Sequence, residues 1–478
     1  RRQRQMCIRD RWYNALNNIP GKQDVCCGNI LPCSFPFRLR KRGNMYSVCI
    51  IAGLVCVALV LTVLTNPSIN IGKYHIRIFY WTAPVLGSIA LLLFRLLPLP
   101  VMWEGLTSSG SINPLKILTL FISMTTLSIY LDEVGFFSYI AGISLKFAKT
   151  SQLRLFCVLF LLVSVLTVFT SNDIIILTFT PFICYFSKKA EIDPMPYLFG
   201  EFVAANTWSM MLIIGNPTNI YLATANGIGF GTYTAHMLLP TLFAGITAFL
   251  LLLMIFRKPL SQPISIKEEK PAIRDKGLVI IGLLHLVFCT ILLILSSYIG
   301  LEMWYITLGF AVSLFLCVTI YKKKKGVKER VLLHTIMRAP WELIPFVLSM
   351  FLLVLTLDRY QVTTIVSDFF GTDHLVWKYG IASFLAANVM NNIPMSMAFS
   401  SIVSHLPEAD RLPAAYASII GSNIGAYFTP LGALAGIMWS GILNKMGIPF
   451  SFRKYISYGI RISIPVLIAA LLGLLIYF

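Results

Sequence analysis

Charge is scarce in this sequence: Asp, Glu, Lys and Arg together make up 12% of its 478 residues, where a soluble domain carries roughly twice that share. Acidic residues are the scarcer sign, 20 against 39 Lys and Arg. Apolar side chains fill the place of the missing charge, at 57% of the chain with a mean hydropathy of +0.77. Soluble enzyme, secreted scaffold and disordered tail are excluded. Apolar runs of about 20 residues recur along the chain, each long enough to cross a hydrocarbon core.

The motifs of metal and covalent chemistry are also missing. Six histidines (His75, His236, His285, His334, His374, His405) are widely dispersed, and there is no HExxH, CxxC or Cys/His spacing. No cofactor or metal site is expected. Of ten cysteines, Cys7, Cys26, Cys27 and Cys33 crowd into residues 1–44, and the other six lie singly in apolar segments. That N-terminal stretch lacks the apolar core of a signal peptide. It carries ten basic and two acidic residues and reads as a non-native or disordered extension, with the protein expected to start at Met45. The remaining positive charge sits mostly in short loops between apolar runs, which is how topology is encoded. It leaves no basic face for nucleic acid.

Hydropathy predicts spans at about 46–65, 78–98, 115–140, 197–224, 233–256, 277–298, 301–321, 339–366, 412–440 and 455–477. Two further apolar stretches, 155–186 and 379–404, are broken in the middle by Ser171-Asn172-Asp173 and Asn391-Asn392. A polar break at that depth is costly unless it lines a cavity or is buried in protein, so both are read as re-entrant hairpins. Lys146, Lys149 and Arg154 before the first, and Lys188 and Lys189 after it, put both its ends on the cytoplasmic side. Acidic residues flank the second (Asp368, Asp373, Glu408, Asp410), which places its ends outside.

The halves repeat. Pro114, Ser123, Met124, Leu127, Leu131 and Asp132 align, at an offset of 226, with Pro340, Ser349, Met350, Leu353, Leu357 and Asp358. Five spans and a hairpin in each half make the second half inverted, because five is odd. The expected fold is therefore an all-α polytopic membrane protein of two inverted repeats with discontinuous helices, spanning residues 45–257 and 277–478, joined by a cytoplasmic linker at 258–276. Inverted repeats whose broken helices meet at the midplane are the architecture of alternating-access carriers.

Each hairpin is followed by a long helix interrupted by small and polar residues. These are Gly215-Asn216-Pro217-Thr218-Asn219 in the first half, and Gly421-Ser422-Asn423-Ile424-Gly425 followed by Thr429-Pro430-Leu431-Gly432 in the second. Glycine and proline there predict unwinding, which frees backbone groups for a solute. The candidate binding set is Ser171, Asn172, Asp173, Gly215, Asn216, Thr218, Asn219, Asn391, Asn392, Ser422, Asn423 and Thr429. Asp173 is the candidate coupling acid: a carboxylate at a hairpin tip needs a proton or a cation, which makes H+ the expected coupling ion and leaves Na+ open. Neither hairpin interior holds Lys or Arg, so a neutral solute or a cation suits the site better than a dicarboxylate, although helix N-termini can also hold an anion. Glu201 is read as opening the broken helix and capping its N-terminus, ahead of a role in coupling. Asp132, Glu133 and Asp358 stand near span ends, in structural or transport roles alike. Trp103, Trp208, Trp304, Trp341 and Trp377 are read as interfacial anchors.

At these motifs the chain resembles the ion transporter superfamily, and within it the arsenite efflux pump branch. The resemblance runs from Met45 to the C-terminus. It is carried by Ser171-Asn172-Asp173 with Thr180-Pro181, Met390-Asn391-Asn392-Ile393-Pro394, Gly421 through Gly432 to Trp439, and Leu131-Asp132-Glu133-Val134-Gly135-Phe136-Phe137. It implies a scaffold and a transport subdomain in each protomer of a homodimer, with substrate held between hairpin tips and unwound helices and moved by an elevator-like displacement. It further implies arsenite or antimonite, small inorganic oxyacids, exported against proton entry through a prokaryotic cytoplasmic membrane. Gly215-Asn216-Pro217-Thr218-Asn219 looks closer to sodium/proton antiporter or anion-permease relatives, so a sodium/proton antiporter or a di/tricarboxylate symporter is the alternative.

Overall fold

The computed structural model describes residues 35–65, 68–71, 74–77, 79–107, 113–148, 150–264, 273, 275–326, 330–448 and 451–478. Most of the expected N-terminal extension lies outside the described residues. The chain runs α1 (Phe35–Thr65), β1 (Ser68–Ile71), β2 (Tyr74–Arg77), α2 (Thr82–Leu93), α3 (Leu99–Thr107), α4 (Pro114–Glu133), α5 (Phe136–Ala148), α6 (Gln152–Phe169) and α7 (Asn172–Lys189). It continues through α8 (Met195–Trp208), a 3-10 turn (Ile213–Gly215), α9 (Pro217–Ala225), α10 (Phe230–Ile255) and α11 (Arg257–Leu260). The second half holds α12 (Lys276–Ile299), α13 (Met303–Lys325), α14 (Val331–Arg338), α15 (Leu343–Arg359), α16 (Val362–Phe370) and α17 (Leu375–Met390). It ends with α18 (Asn392–Ser404), α19 (Glu408–Gly425), α20 (Leu434–Lys445) and α21 (Phe452–Leu474).

Several helices turn a stripe of large apolar side chains outward, as lipid contact requires and water forbids. On α1 the stripe is Ile50, Leu54, Val57 and Leu61, each more than half exposed, at the i, i+4, i+7, i+11 spacing of one helix face. Val312, Leu316 and Ile320 on α13 and Ile460, Ile464, Ile468 and Leu472 on α21 repeat the pattern. With eight segments long and apolar enough to cross a bilayer among the described residues, the chain is an integral membrane protein.

Both expected hairpins are present. Phe156 on α6 and Phe186 on α7 pack against the same ring, Tyr197, at 6.4 and 5.6 Å. In one straight helix these two residues would stand about 45 Å apart, so the chain must fold back between them. The turn is Thr170-Ser171, where the backbone leaves the helical region. In the second hairpin Tyr379 on α17 meets Phe399 on α18 at 6.4 Å. Its tip is Asn391, at φ +73 and ψ +156, outside the left-handed helical region and in a backbone conformation that only glycine adopts freely. Thr150 O accepts from Ile264 N at 3.0 Å, which ties the linker to the base of the first hairpin and puts both on one side, as the loop charges require.

Three expected spans differ in detail. The run at 115–140 is two helices, α4 and α5, because Gly135 at φ +80 turns the chain between them. The run at 78–98 holds only the short α2, and 339–366 is divided among α15 and α16 with Gln361 at φ +61 between. The β1–β2 hairpin was not expected from the hydropathy, because its strands are too short to carry a periodic signal.

Candidate functional site

The two breaks differ in kind. In the first repeat α8 ends at Trp208, the chain passes through the 3-10 turn, and α9 restarts at Pro217. Proline there is a helix starter, since the first turn has no use for its missing N–H. Asn216 is the N-cap, accepting from Thr218 N. Gly215 is required by contact: a Cβ would stand 2.2 Å from Ser209 O. In the second repeat the expected unwinding at Gly421–Gly425 does not occur. The helix continues through Gly425, and the irregular stretch follows it, up to Leu434. Gly421 instead lets α19 lie against α17, where a Cβ would meet Gly380 O at 2.3 Å. Helix-to-helix approach of this sort is what small residues provide in membranes.

A buried amide network joins the break of the first repeat to the last turns of α19 in the second. Asn423 Oδ1 accepts from Asn216 Nδ2 at 3.0 Å and from Ser209 Oγ at 3.1 Å, and its Nδ2 donates to Asn219 Oδ1 at 2.7 Å. Asn219 in turn donates to Ser209 O and Leu212 O, carbonyls freed by the end of α8. Ser209 Oγ donates to Asn206 O, and Asn206 Oδ1 accepts from Asn172 Nδ2 at 3.0 Å. The network therefore runs from the first hairpin tip to the second broken helix.

The second tip attaches to the same region. Asn391 Nδ2 donates to Leu431 O at 3.2 Å, inside the irregular stretch. Thr429 Oγ1 donates to Asn388 Oδ1 at 2.7 Å, and Asn388 Nδ2 donates to Gly425 O. Asn206, Ser209, Asn388 and Tyr427, whose hydroxyl accepts from Thr207 Oγ1, were not singled out in the sequence. Their only signal is a polar side chain in an apolar run.

Four of the sequence-nominated residues carry buried polar atoms without a hydrogen-bond partner: Ser171 Oγ, Thr218 Oγ1, Asn392 Oδ1 and Ser422 Oγ. Such groups are costly in a dry interior unless something binds them, and here one comes from each tip and each broken helix. Asp173 lies in the first turn of α7, half-buried. Asn172 Oδ1 accepts from its backbone N–H, but its carboxylate joins neither the amide network nor any ion pair among the described residues.

Glu201 is not a cap. It lies in the middle of α8, 2% exposed, because the helix begins at Met195 and its first turn carries no acid. Trp208 is not an interfacial anchor either; it closes α8 at the break, where the Gly245 Cα–H fits against its indole. Asp132 and Asp358 hold matching places. Asp132 accepts from Thr178 Oγ1 at 2.8 Å and Asp358 from Ser401 Oγ at 2.7 Å, each hydroxyl on the second arm of its own repeat's hairpin. Their outer partners differ: Arg338 binds Asp132 and Glu133, while His405 Nε2 stands 2.8 Å from Asp358. A cavity of about 150 Å³ opens beside Asp358, bounded by Tyr221, Met397, Ser400 and Ser401.

The citrate transporter family profile matches residues 61–421. The chain belongs to that family, within the ion transporter superfamily. Among curated relatives of this family member, an arsenical pump membrane protein of Escherichia coli is 26% identical over 456 residues, covering 89% of the chain and 98% of the relative. A putative arsenical pump membrane protein of Bacillus subtilis is 26% identical over 69% of the chain and 80% of its own length. A 46 kDa membrane protein of Mycobacterium leprae is 23% identical over 73% of the chain and 83% of its own length. Among solved structures the YdaH transporter of Alcanivorax borkumensis superposes with a TM-score of 0.54 at 10% identity, over 91% of the chain and 98% of that transporter. That likeness speaks for the fold alone. The chain is a transporter of this superfamily, related to the arsenical pumps.

Proposed function

We propose that the protein is a proton-coupled exporter of arsenite and antimonite, working as a homodimer in a prokaryotic cytoplasmic membrane. The observation that carries this reading is the chemistry of the junction between tips and breaks. Its polar groups are amides, hydroxyls and backbone carbonyls, with Asp173 as the sole carboxylate and without Lys or Arg among the nominated residues. At neutral pH arsenite is an uncharged trihydroxide, and its three hydroxyls match mixed donors and acceptors such as Asn392 Oδ1, Ser171 Oγ, Thr218 Oγ1 and Ser422 Oγ. A tricarboxylate would have to leave water for a site without a fixed cation, beside a carboxylate of its own sign. Alternation follows from competition: a proton on Asp173 neutralises the carboxylate, and a bound solute instead donates its hydroxyls to the ionised group in place of water, so that either one eases the crossing of the bilayer. The arsenical pump relatives support the same substrate class.

The second reading is a carboxylate symporter. The family name favours it, as do the helix N-termini of α7, α9 and α18, which stand at the tips and the first break. Purified protein in liposomes with an internal pH dye separates the two. Arsenite-evoked proton movement that Asp173→Asn abolishes supports the exporter; proton or sodium flux evoked by citrate and not by arsenite overturns it.

A further inference from the structure

Glu201 is a carboxyl that the transport scheme above does not use. It lies 2% exposed in the middle of α8, and three elements enclose it. From the second arm of the first hairpin, Thr180 Oγ1 stands 3.0 Å from both of its oxygens. From α20 of the second repeat, Trp439 brings its indole against the same carboxyl. Around them is an aromatic wall: Trp439 packs on Phe202 at 5.3 Å and on Tyr455 at 5.7 Å. The titratable groups that face it are the Cys184 thiol, one turn along α7 from Thr180, and Tyr455 behind the indole. No Lys, Arg or His pairs with it among the described residues.

A threonine hydroxyl and an indole ring cannot balance a carboxylate in such a setting, where an unpaired charge is far costlier than an unpaired dipole. A proton can. The Thr180 hydroxyl, equidistant from the two oxygens, can accept the carboxyl O–H from one of them and donate to the other. The site suits the neutral acid, and it stands where three elements meet: a hairpin arm, a broken helix and an element of the opposite repeat.

We propose that Glu201 is a second proton-binding site of the carrier, separate from the hairpin-tip acid Asp173. Protonated, it lets α7, α8 and α20 close into one dry unit. Deprotonated, it needs water, and therefore separation of Thr180 from Trp439. The proton count per cycle is then set by two carboxyls, one at the tip and one inside the packed transport elements. This rests on the carrier reading but not on which solute is carried.

The test is infrared titration of the full-length protein in lipid, comparing wild type with Glu201→Gln and Asp173→Asn. Glutamine keeps the size and a hydrogen-bonding oxygen of the glutamate, so the packing survives. The expected result is a carboxylic-acid C=O band present at neutral pH in wild type and in Asp173→Asn but absent from Glu201→Gln. Thr180→Val supplies a second reading, because loss of the hydroxyl must shift that same band. A band unchanged in Glu201→Gln, or a band from this residue unmoved by Thr180→Val, overturns the proposal. In liposomes the pH profile of solute-evoked proton flux should lose one of its two inflections in Glu201→Gln, with at least a tenfold fall in rate; an unaltered profile also overturns it. If wild type moves no protons with any solute, the carrier reading fails, while the infrared result still decides the protonation of Glu201.

Discussion

Replacing Asn423 with alanine removes a side chain that hydrogen-bonds the broken helices of both repeats to each other. Its amide makes four hydrogen bonds, but they are not equal in consequence. Ser209 Oγ also donates to Asn206 O, and Ile419 O stays within its helix, so both keep a partner. Asn216 Nδ2 and Asn219 Oδ1 lose theirs. Two stranded buried groups cost about 2–6 kcal/mol on a soluble-protein scale. Hydrogen bonds between membrane helices average only ~0.6 kcal/mol, which draws the expectation to about 2–3 kcal/mol. The assay is reversible unfolding in mixed micelles by titration with dodecyl sulfate, followed by tryptophan fluorescence. Asn226→Ala is the control, since that side chain donates only to Leu222 O near a helix end and should cost less than ~1 kcal/mol. Asn423→Ala costing no more than the control would refute the claim that this amide holds the breaks together.

Other expectations follow from the same geometry. Gly215→Ala should prevent the first break from forming, because the contact it creates is with backbone at Ser209; Gly231→Ala, with open space around it, should be neutral or stabilise by up to ~1 kcal/mol, and the yield of monodisperse protein compares the two. Arg338→Ala leaves Asp132 and Glu133 at 10% and 15% exposure without their cation and should destabilise by about 1–3 kcal/mol in the same unfolding titration. Glu302, outside the spans, is held below the usual glutamate pKa by the hydrogen bond from Lys116. A lowered folded-state pKa means that its contribution is present at neutral pH and is lost as pH falls through that value. The pair is half exposed, so Glu302→Gln should cost no more than ~0.5 kcal/mol at pH 7, fading in acid and in high salt.

Much of this was legible in the sequence because membranes enforce it. A polar pair in the middle of an apolar run has few tolerable explanations, and both Ser171-Asn172-Asp173 and Asn391-Asn392 are hairpin tips. Loop charge predicted that the first hairpin and the linker share a side, and the Thr150–Ile264 contact agrees. What could not be read was pairing over long separations. Asn423 finds Asn219 across 204 residues and Arg338 finds Asp132 across 206, and periodicity carries no trace of either. Glycine was ambiguous as well: Gly215 accompanies a break, whereas Gly421 serves a helix contact, and the sequence of a Gly-rich motif reads the same for both. Glu201 was misplaced because the helix begins earlier than its hydropathy indicates, at Met195.

The central claim, a proton-coupled carrier of a neutral oxyacid, is tested most directly in proteoliposomes holding a pH dye under an imposed proton gradient. Arsenite, sodium, citrate and succinate are added in turn. The expected result is proton movement evoked by arsenite and lost in Asp173→Asn. Proton or sodium movement evoked by citrate or succinate, with arsenite silent, would contradict it and assign the same junction to carboxylates.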